Sequence, residues 1–192
     1  MSSPSVLALA GSARRGSVNK RLIQYAAREL EALGARVTLV DLADFPMPLY
    51  DGDLEDSDGL PPAVQRLREL MIPQQGLLFA CPEYNSSITP LLKNTIDWTT
   101  RAPGGSGDLA CYQGKVVSLV SASPGALGGL RGLVTVRSIL GNIGCLLMPQ
   151  QLAVSKADRA FDEAGKLGDA AIAKRLRSQL EALVDTLKRL NG

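Results

Sequence analysis

The stretch Gly11-Ser12-Ala13-Arg14-Arg15-Gly16-Ser17-Val18-Asn19 gathers hydroxyls, an amide and two guanidinium groups without a carboxylate. That set suits an anion. Ser12, Ser17 and Asn19 supply side-chain donors, and Arg14 adds a permanent positive charge matched to phosphate geometry. The apolar run Val6 to Ala10 precedes the stretch, and Leu22, Ile23, Ala26, Leu30 and Leu33 recur after it at helical spacing. A strand buried on both faces therefore turns into a helix, with Ser17 at the N-cap. First-turn N–H groups of such a helix lack internal partners and donate readily to a phosphate. The dipole alone contributes about 0.3–1 kcal/mol, so side chains must carry the rest. An ordinary strand-to-helix loop with solvated arginines is the alternative.

Spacing separates three nucleotide motifs that compete for this turn. The P-loop pattern requires Lys and then Ser or Thr after its second glycine, but Ser17 and Val18 stand there. Without that lysine a triphosphate loses its main counter-charge. The dinucleotide fingerprint needs a third-position glycine, where this chain has Ala13. Asp41, at the end of the next apolar strand, could mimic the ribose-binding acid of that motif, yet a strand-end cap explains it more simply. A hydroxyl-lined loop for a single phosphate monoester is what remains.

The elements that position this loop alternate strand and helix along the chain, with neither linker nor repeat. Residues 35–41 read as a second strand after the Gly34 helix stop, 42–59 as a loop, and Pro61-Pro62 to Met71 as a helix. Gly76 to Cys81 is a third buried strand, Thr89-Pro90 to Trp98 a helix, and Val116 to Val120 a fourth strand. Residues 126–141 read as a helix, Cys145 to Met148 as a short fifth strand, and a last helix begins near Asp162-Glu163. Ile172, Leu176, Leu180, Leu183, Leu187 and Leu190 form one face of that helix. Such repetition predicts a parallel sheet covered on both faces, with ligands beyond the carboxyl ends of its strands. The informative segments are then 11–19, 82–90 and 121–129. The second, Pro82-Glu83-Tyr84-Asn85-Ser86-Ser87, brings a ring, a carboxylate and an amide. The third, Ser121-Ala122-Ser123-Pro124-Gly125, brings hydroxyls and backbone N–H groups. A phosphate cradle, an aromatic loop and a small polar loop together favour a flat heterocycle on a phosphate stem, flavin mononucleotide (FMN).

The bulk properties fit one domain over residues 1–192, long enough to bury a full core. With 21 basic and 19 acidic residues, nothing implies a nucleic-acid or membrane surface. The Arg14, Arg15, Lys20, Arg21 cluster is local and suits a small anion. The apolar run at 6–10 lacks a preceding basic segment and is too short for a signal peptide, so a cytoplasmic protein is expected. Cys81, Cys111 and Cys145 have no metal or redox spacing and read as free thiols. The chain has no histidine, which removes Ser-His-Asp and Cys-His catalysis and histidine-based zinc sites together.

These motifs, joined by Leu92-Lys93-Asn94-Thr95-Ile96-Asp97-Trp98, by Gly128-Gly129-Leu130-Arg131 and by Phe161-Asp162-Glu163, resemble the NADPH-dependent FMN reductase family, which includes chromate, quinone and azo-dye reductases. The resemblance implies a flavodoxin-like α/β three-layer fold with a five-stranded parallel sheet of order 2-1-3-4-5, a bound FMN, and a homodimer or homotetramer. Carried over by position, Ser12, Arg14, Ser17 and Asn19 would hold the FMN phosphate. Pro82, Glu83, Tyr84 and Asn85 would border the isoalloxazine, mostly through backbone groups, with Ser121 and Ser123 beyond it. Arg131 would serve an interface or the ligand. Two positions depart from the family pattern: Ser86 stands where many members have Gly, and Thr89-Pro90 replaces Pro-Gly. The implied activity is hydride transfer from NADPH, or NADH, to FMN and then to a small-molecule acceptor by a ping-pong scheme. It requires no catalytic side chain, because the cofactor carries the chemistry. Arg15 and Arg101 are candidates for the 2′-phosphate of NADPH. A flavodoxin-type electron carrier and a flavin-binding regulatory protein are the alternatives.

Overall fold

In the computed structural model, which describes residues 3–191, a five-stranded parallel sheet is sandwiched between helices. The ends of the domain expected over 1–192 lie outside the described residues. The elements are β1 (Ser5–Ala10), α1 (Val18–Ala32), β2 (Arg36–Val40), α2 (Gly52–Asp58), α3 (Pro62–Met71) and β3 (Gly76–Ala80). They continue with β4 (Glu83–Tyr84), β5 (Ser87–Ile88), α4 (Pro90–Thr99), β6 (Val116–Ala122), α5 (Leu130–Asn142), β7 (Leu146–Val154) and α6 (Ala170–Asn191). Strand order is β2-β1-β3-β6-β7, the expected order once the separate β4–β5 hairpin is set aside.

Period-two alternation inside the apolar runs builds both cores. On β1, Val6, Ala8 and Ala10 face α1 and α6, while Leu7 and Leu9 face the opposite layer of α3, α4 and α5. Leu78 and Ala80 of β3 join the first side, and Leu77 and Phe79 the second. Helix α6 buries Leu176, Leu180, Leu183 and Leu187 completely. Each such leucine contributes about 1.5–3 kcal/mol of burial. Leu190, expected on the same face, is 58% exposed. The 22-residue helix is about 33 Å long, so its last turn runs past the shorter strands of the sheet.

The structure corrects several expected boundaries. Residues 42–59 are not simply a loop: a 3-10 turn at Leu42–Asp44 is followed by α2. Asp51 starts α2 by accepting from the N–H of Asp53 at 2.9 Å. The segment is fastened to α4, where Tyr50 N–H donates to Asn94 Oδ1 and Trp98 Nε1 donates to the Pro48 carbonyl, both at 2.8 Å. The helix expected at 126–141 begins later, at Leu130. The last helix starts at Ala170 because Asp169 Oδ1 accepts from the N–H groups of Ala171 and Ile172, at 2.8 and 3.1 Å. Residues 155–169 are instead a loop clamped on α1, with Arg21 and Arg28 donating to the carbonyls of Asp162 and Gly165 at 3.0 and 3.1 Å. The fifth strand is also longer than Cys145 to Met148. It continues past a bulge, since Val117 pairs with Leu147 but Leu119 pairs with Gln151. Gln179 of α6 occupies the gap, its Nε2 donating to Ser118 Oγ and the Leu119 carbonyl at 2.8 and 2.9 Å.

Candidate functional site

The carboxyl ends of β1, β3 and β6 open onto one cleft of about 230 Å³. Ser12, Arg14, Gly16, Ser17, Val18 and Asn19 line it from the β1–α1 loop, Pro82 and Tyr84 from the end of β3, and Pro124 from the loop after β6. Larger grooves exist, including one of about 580 Å³ between Pro149–Leu152 and α6. They lie away from the carboxyl ends of the strands, whereas this cleft sits where parallel α/β sheets bind ligands.

The β1–α1 loop folds back on itself. Ser12 Oγ accepts from the Arg14 N–H at 3.3 Å, and Ser17, the N-cap of α1, accepts through Oγ from the Lys20 N–H at 3.4 Å. The N–H groups of Val18 and Asn19, in the first turn, find no acceptor among the described residues. Two unsatisfied donors at a helix N-terminus make a cradle for an oxyanion. Thr89, which heads α4, holds the loop from below: its Oγ1 donates to the Gly11 carbonyl at 2.7 Å and accepts from the Leu92 N–H at 3.2 Å. Helix α4 comes so close that a Cβ on Gly11 would lie 2.9 Å from Leu92 Cβ, so only glycine fits. The approach of Thr89 to this loop was not read from the sequence, where it appeared only as a helix start.

Charge at the cleft is positive. Lys20 is neutralised by Asp41 at 2.6 Å, and Asp41 also accepts from the Ala43 N–H as a cap, in keeping with the simpler reading of that acid. Arg21 is occupied by the 155–169 loop and stacks on Phe161 at 4.9 Å. Arg14 and Arg15 are exposed, and neither meets a carboxylate among the described residues. The free Arg14 guanidinium, in one cleft with unsatisfied N–H donors, fits a phosphate dianion.

The β4–β5 hairpin forms the opposite wall. Tyr84 pairs with Ser87, so Asn85 and Ser86 are the two turn residues, and both are left-handed, with φ of 50° and 67°. A two-residue hairpin of this hand favours Asn followed by Gly. Ser86 therefore holds a backbone conformation that costs a side-chain-bearing residue about 1–2 kcal/mol. Tyr84 is half exposed at the wall, and Asn85 lies exposed at the tip.

Glu83 faces away from the cleft wall and caps α5. Its carboxylate accepts from the N–H groups of Arg131 and Gly132 at 3.0 and 3.2 Å and pairs with the Arg131 guanidinium at 2.6 Å. Gly129, the N-cap of α5, has no side chain to do this. Burial raises the Glu83 pKa, but the Gly132 and Arg131 donors outweigh it and hold the carboxyl below its usual range. Arg131, expected at an interface or the ligand, pairs within the chain with Glu83 while its side chain stays 57% exposed.

The remaining expected residues differ in how far the scaffold engages them. Asn19 reaches the end of β6, donating to the Ala122 carbonyl at 2.8 Å and accepting from its N–H at 2.9 Å. Ser123 Oγ accepts from the Gly125 N–H within its own loop. Ser121 is fully buried with an unpartnered Oγ, and it lies so near Gly129 that a Cβ there would stand 1.8 Å from that oxygen. Arg101 lies past the far end of α4, about 15 Å from Thr89 along ten residues, and donates through Nε to Glu55 at 2.8 Å. The three thiols are free, and burial pushes Cys111 up to about 11 and Cys145 up to about 12, with Cys81 raised further. They are not thiolates at neutral pH.

Comparison with known proteins points to one family. The family model for NADPH-dependent FMN reductase matches residues 4–159. The NAD(P)H-dependent FMN reductase of Pseudomonas aeruginosa is 36% identical over 188 residues, covering 97% of both chains. A quinone reductase of Pseudomonas putida is 35% identical over 183 residues, covering 94% of this chain and 91% of its own. Among solved structures, the flavoenzyme NAD(P)H:(acceptor) oxidoreductase FerB of Paracoccus denitrificans superposes with a TM-score of 0.82 at 27% identity, covering 97% of this chain and 98% of its own.

Proposed function

Because the chain belongs to the NADPH-dependent FMN reductase family, we propose that it passes reducing equivalents from NADPH to a quinone, azo compound, chromate or free flavin by a ping-pong scheme. It is an FMN-dependent oxidoreductase with NAD(P)H as co-substrate. The observation that carries the finer reading is the cleft, where the unsatisfied N–H groups of Val18 and Asn19 meet Arg14 on one side and a half-exposed Tyr84 on the other.

Bound FMN supplies the two-electron chemistry, and the protein supplies position. Ser12, Arg14 and Ser17 hold the phosphate together with the Val18 and Asn19 amides. Pro82, Tyr84 and Asn85 border the ring, and Pro124 closes the stem. Glu83, Asn19, Ser121 and Ser123 set the shape of these loops. No side chain in the cleft acts as general acid or base, which fits a chain without histidine. The open wall at Tyr84 admits the nicotinamide and then the acceptor to one face, and that sharing makes the order ping-pong. A homodimer or homotetramer in the cytoplasm is the assembly and place that we propose. No helix among the described residues is long and apolar enough to cross a membrane.

The test is spectroscopic. The purified protein, supplied with FMN, should show a flavin band that bleaches on anaerobic addition of NADPH and returns on adding a quinone. Initial rates at several quinone concentrations should give parallel double-reciprocal lines. A flavin that bleaches only with dithionite would make the protein a carrier, and absence of flavin binding would overturn the reading.

A further inference from the structure

A nicotinamide nucleotide with a 2′-phosphate needs a cation beyond those that hold the FMN phosphate, and the structure assigns that role to Lys156, an inference that rests on the reading above. Arg101, one sequence candidate, is taken by Glu55 at the far end of α4. Lys156 is exposed and, among the described residues, pairs with no carboxylate. Its neighbour Asp158 turns to Arg159 at 3.5 Å instead.

Its place is fixed by the loop that carries Pro124, a wall of the cleft. The Lys156 N–H points to the Gly125 carbonyl at 3.4 Å, and the next N–H, of the fully buried Ala157, donates to the Ser123 carbonyl at 3.1 Å. From there the four-carbon stem of Lys156 is long enough to extend toward the wall that Pro124 forms, across the cleft from the loop of Arg14. The backbone adds an independent sign. Lys156 has φ of 49°, and the other left-handed residues with side chains, among those described, are Asn85 and Ser86 of the hairpin at the same cleft. Glycine would satisfy that backbone without strain. Lysine adds a charge there, and strained residues of this kind concentrate at ligand sites. Arg14 on the wall of the β1–α1 loop and Lys156 beside the wall of Pro124 thus offer cations to a cleft that must admit a second, doubly charged phosphate.

The test uses the FMN-loaded protein and two probes, 2′,5′-ADP and 5′-AMP, followed by calorimetric titration. Wild type should bind 2′,5′-ADP more tightly than 5′-AMP. Lys156→Gln should weaken 2′,5′-ADP about tenfold, the loss of one charge-assisted contact, and leave 5′-AMP unchanged. Lys156→Arg should retain most of the preference, and Lys156→Gly, which relieves the backbone, should lose it as Gln does. Equal binding of the two probes by wild type, or full 2′,5′-ADP affinity in Lys156→Gln, would overturn the assignment. The flavin absorbance of the same samples reports on the FMN reading separately.

Discussion

Replacing Glu83 by alanine tests whether the site hairpin is built on the N-terminus of α5. The carboxylate, whose side chain is 8% exposed, accepts from the Arg131 and Gly132 N–H groups and from the Arg131 guanidinium. Among the described residues no other side chain caps that helix end, since Gly129 occupies the N-cap. Loss of a cap costs about 0.5–2 kcal/mol. The ion pair adds little, because the Arg131 side chain is 57% exposed and solvent screens it to about 0–1 kcal/mol. Together the loss is about 2 kcal/mol, or roughly 4–8 °C in the melting temperature of a chain this size. Thermal melts of Glu83→Ala, Arg131→Ala and the double variant separate the two terms, and FMN titration of each shows whether the hairpin still presents its wall. We expect Arg131→Ala to cost under 1 kcal/mol and Glu83→Ala to weaken FMN as well as stability. If Arg131→Ala costs as much as Glu83→Ala, the ion pair and not the helix cap fastens the hairpin, and the reasoning fails.

Other expectations concern single sites. Ser86→Gly should raise stability by about 0.5–1 kcal/mol by relieving the left-handed turn, less what the added freedom costs in the unfolded chain, as read by urea denaturation. Ser121→Ala removes a buried hydroxyl that has no partner, so it should be neutral or stabilising by about 1 kcal/mol and leave FMN affinity intact; weaker flavin binding would place that oxygen in the cofactor site. Arg14→Ala should raise the FMN dissociation constant about tenfold or more without lowering the melting temperature of the apoprotein, as seen by fluorescence titration and calorimetry. The Arg101 contact to Glu55, the Gly132 and Arg131 donors to Glu83, and the Ala110 N–H and Arg68 bonds to Asp108 hold all three carboxyls below their ordinary pKa values. Their stabilisation is therefore complete above the unfolded carboxylate range, near pH 4, and is lost as pH falls through the lower folded values. The urea midpoint should fall steeply below about pH 4 and stay nearly flat from 5 to 8, since no histidine titrates there.

The sheet was legible because Val6 to Ala10, Gly76 to Cys81 and Val116 to Val120 are apolar on both faces, which only a covered parallel strand explains. Helix α2 was not legible: Gly52 to Asp58 has no apolar period, and its helix exists through Asp51 and the Glu55–Arg101 pair, contacts made across the fold. Strand β7 hid its length behind Pro149, which reads as a stop until a bulge absorbs it. At the site, Ser12, Arg14, Ser17, Asn19, Pro82 and Tyr84 do converge on one cleft. Within those loops, polar type alone cannot tell a ligand-facing group from one that shapes the loop. Glu83 and Ser121 look alike in sequence to their neighbours, yet one caps a helix and the other lies beneath Gly129. Lys156 escaped notice because nothing around it in sequence suggests a left-handed turn.

The bulge in β7 also decides how molecules of this protein can misassociate. A sheet border invites a neighbouring chain when its free N–H and carbonyl groups keep an even register. Across Met148–Gln150 that register is broken, and Pro149 has no N–H to offer, so an incoming strand finds no continuous template. The opposite border, β2, has no such interruption over Arg36–Val40 and exposes Leu39. If partly unfolded copies seed fibrils, growth begins along β2, and a charge at Leu39 is the place to stop it.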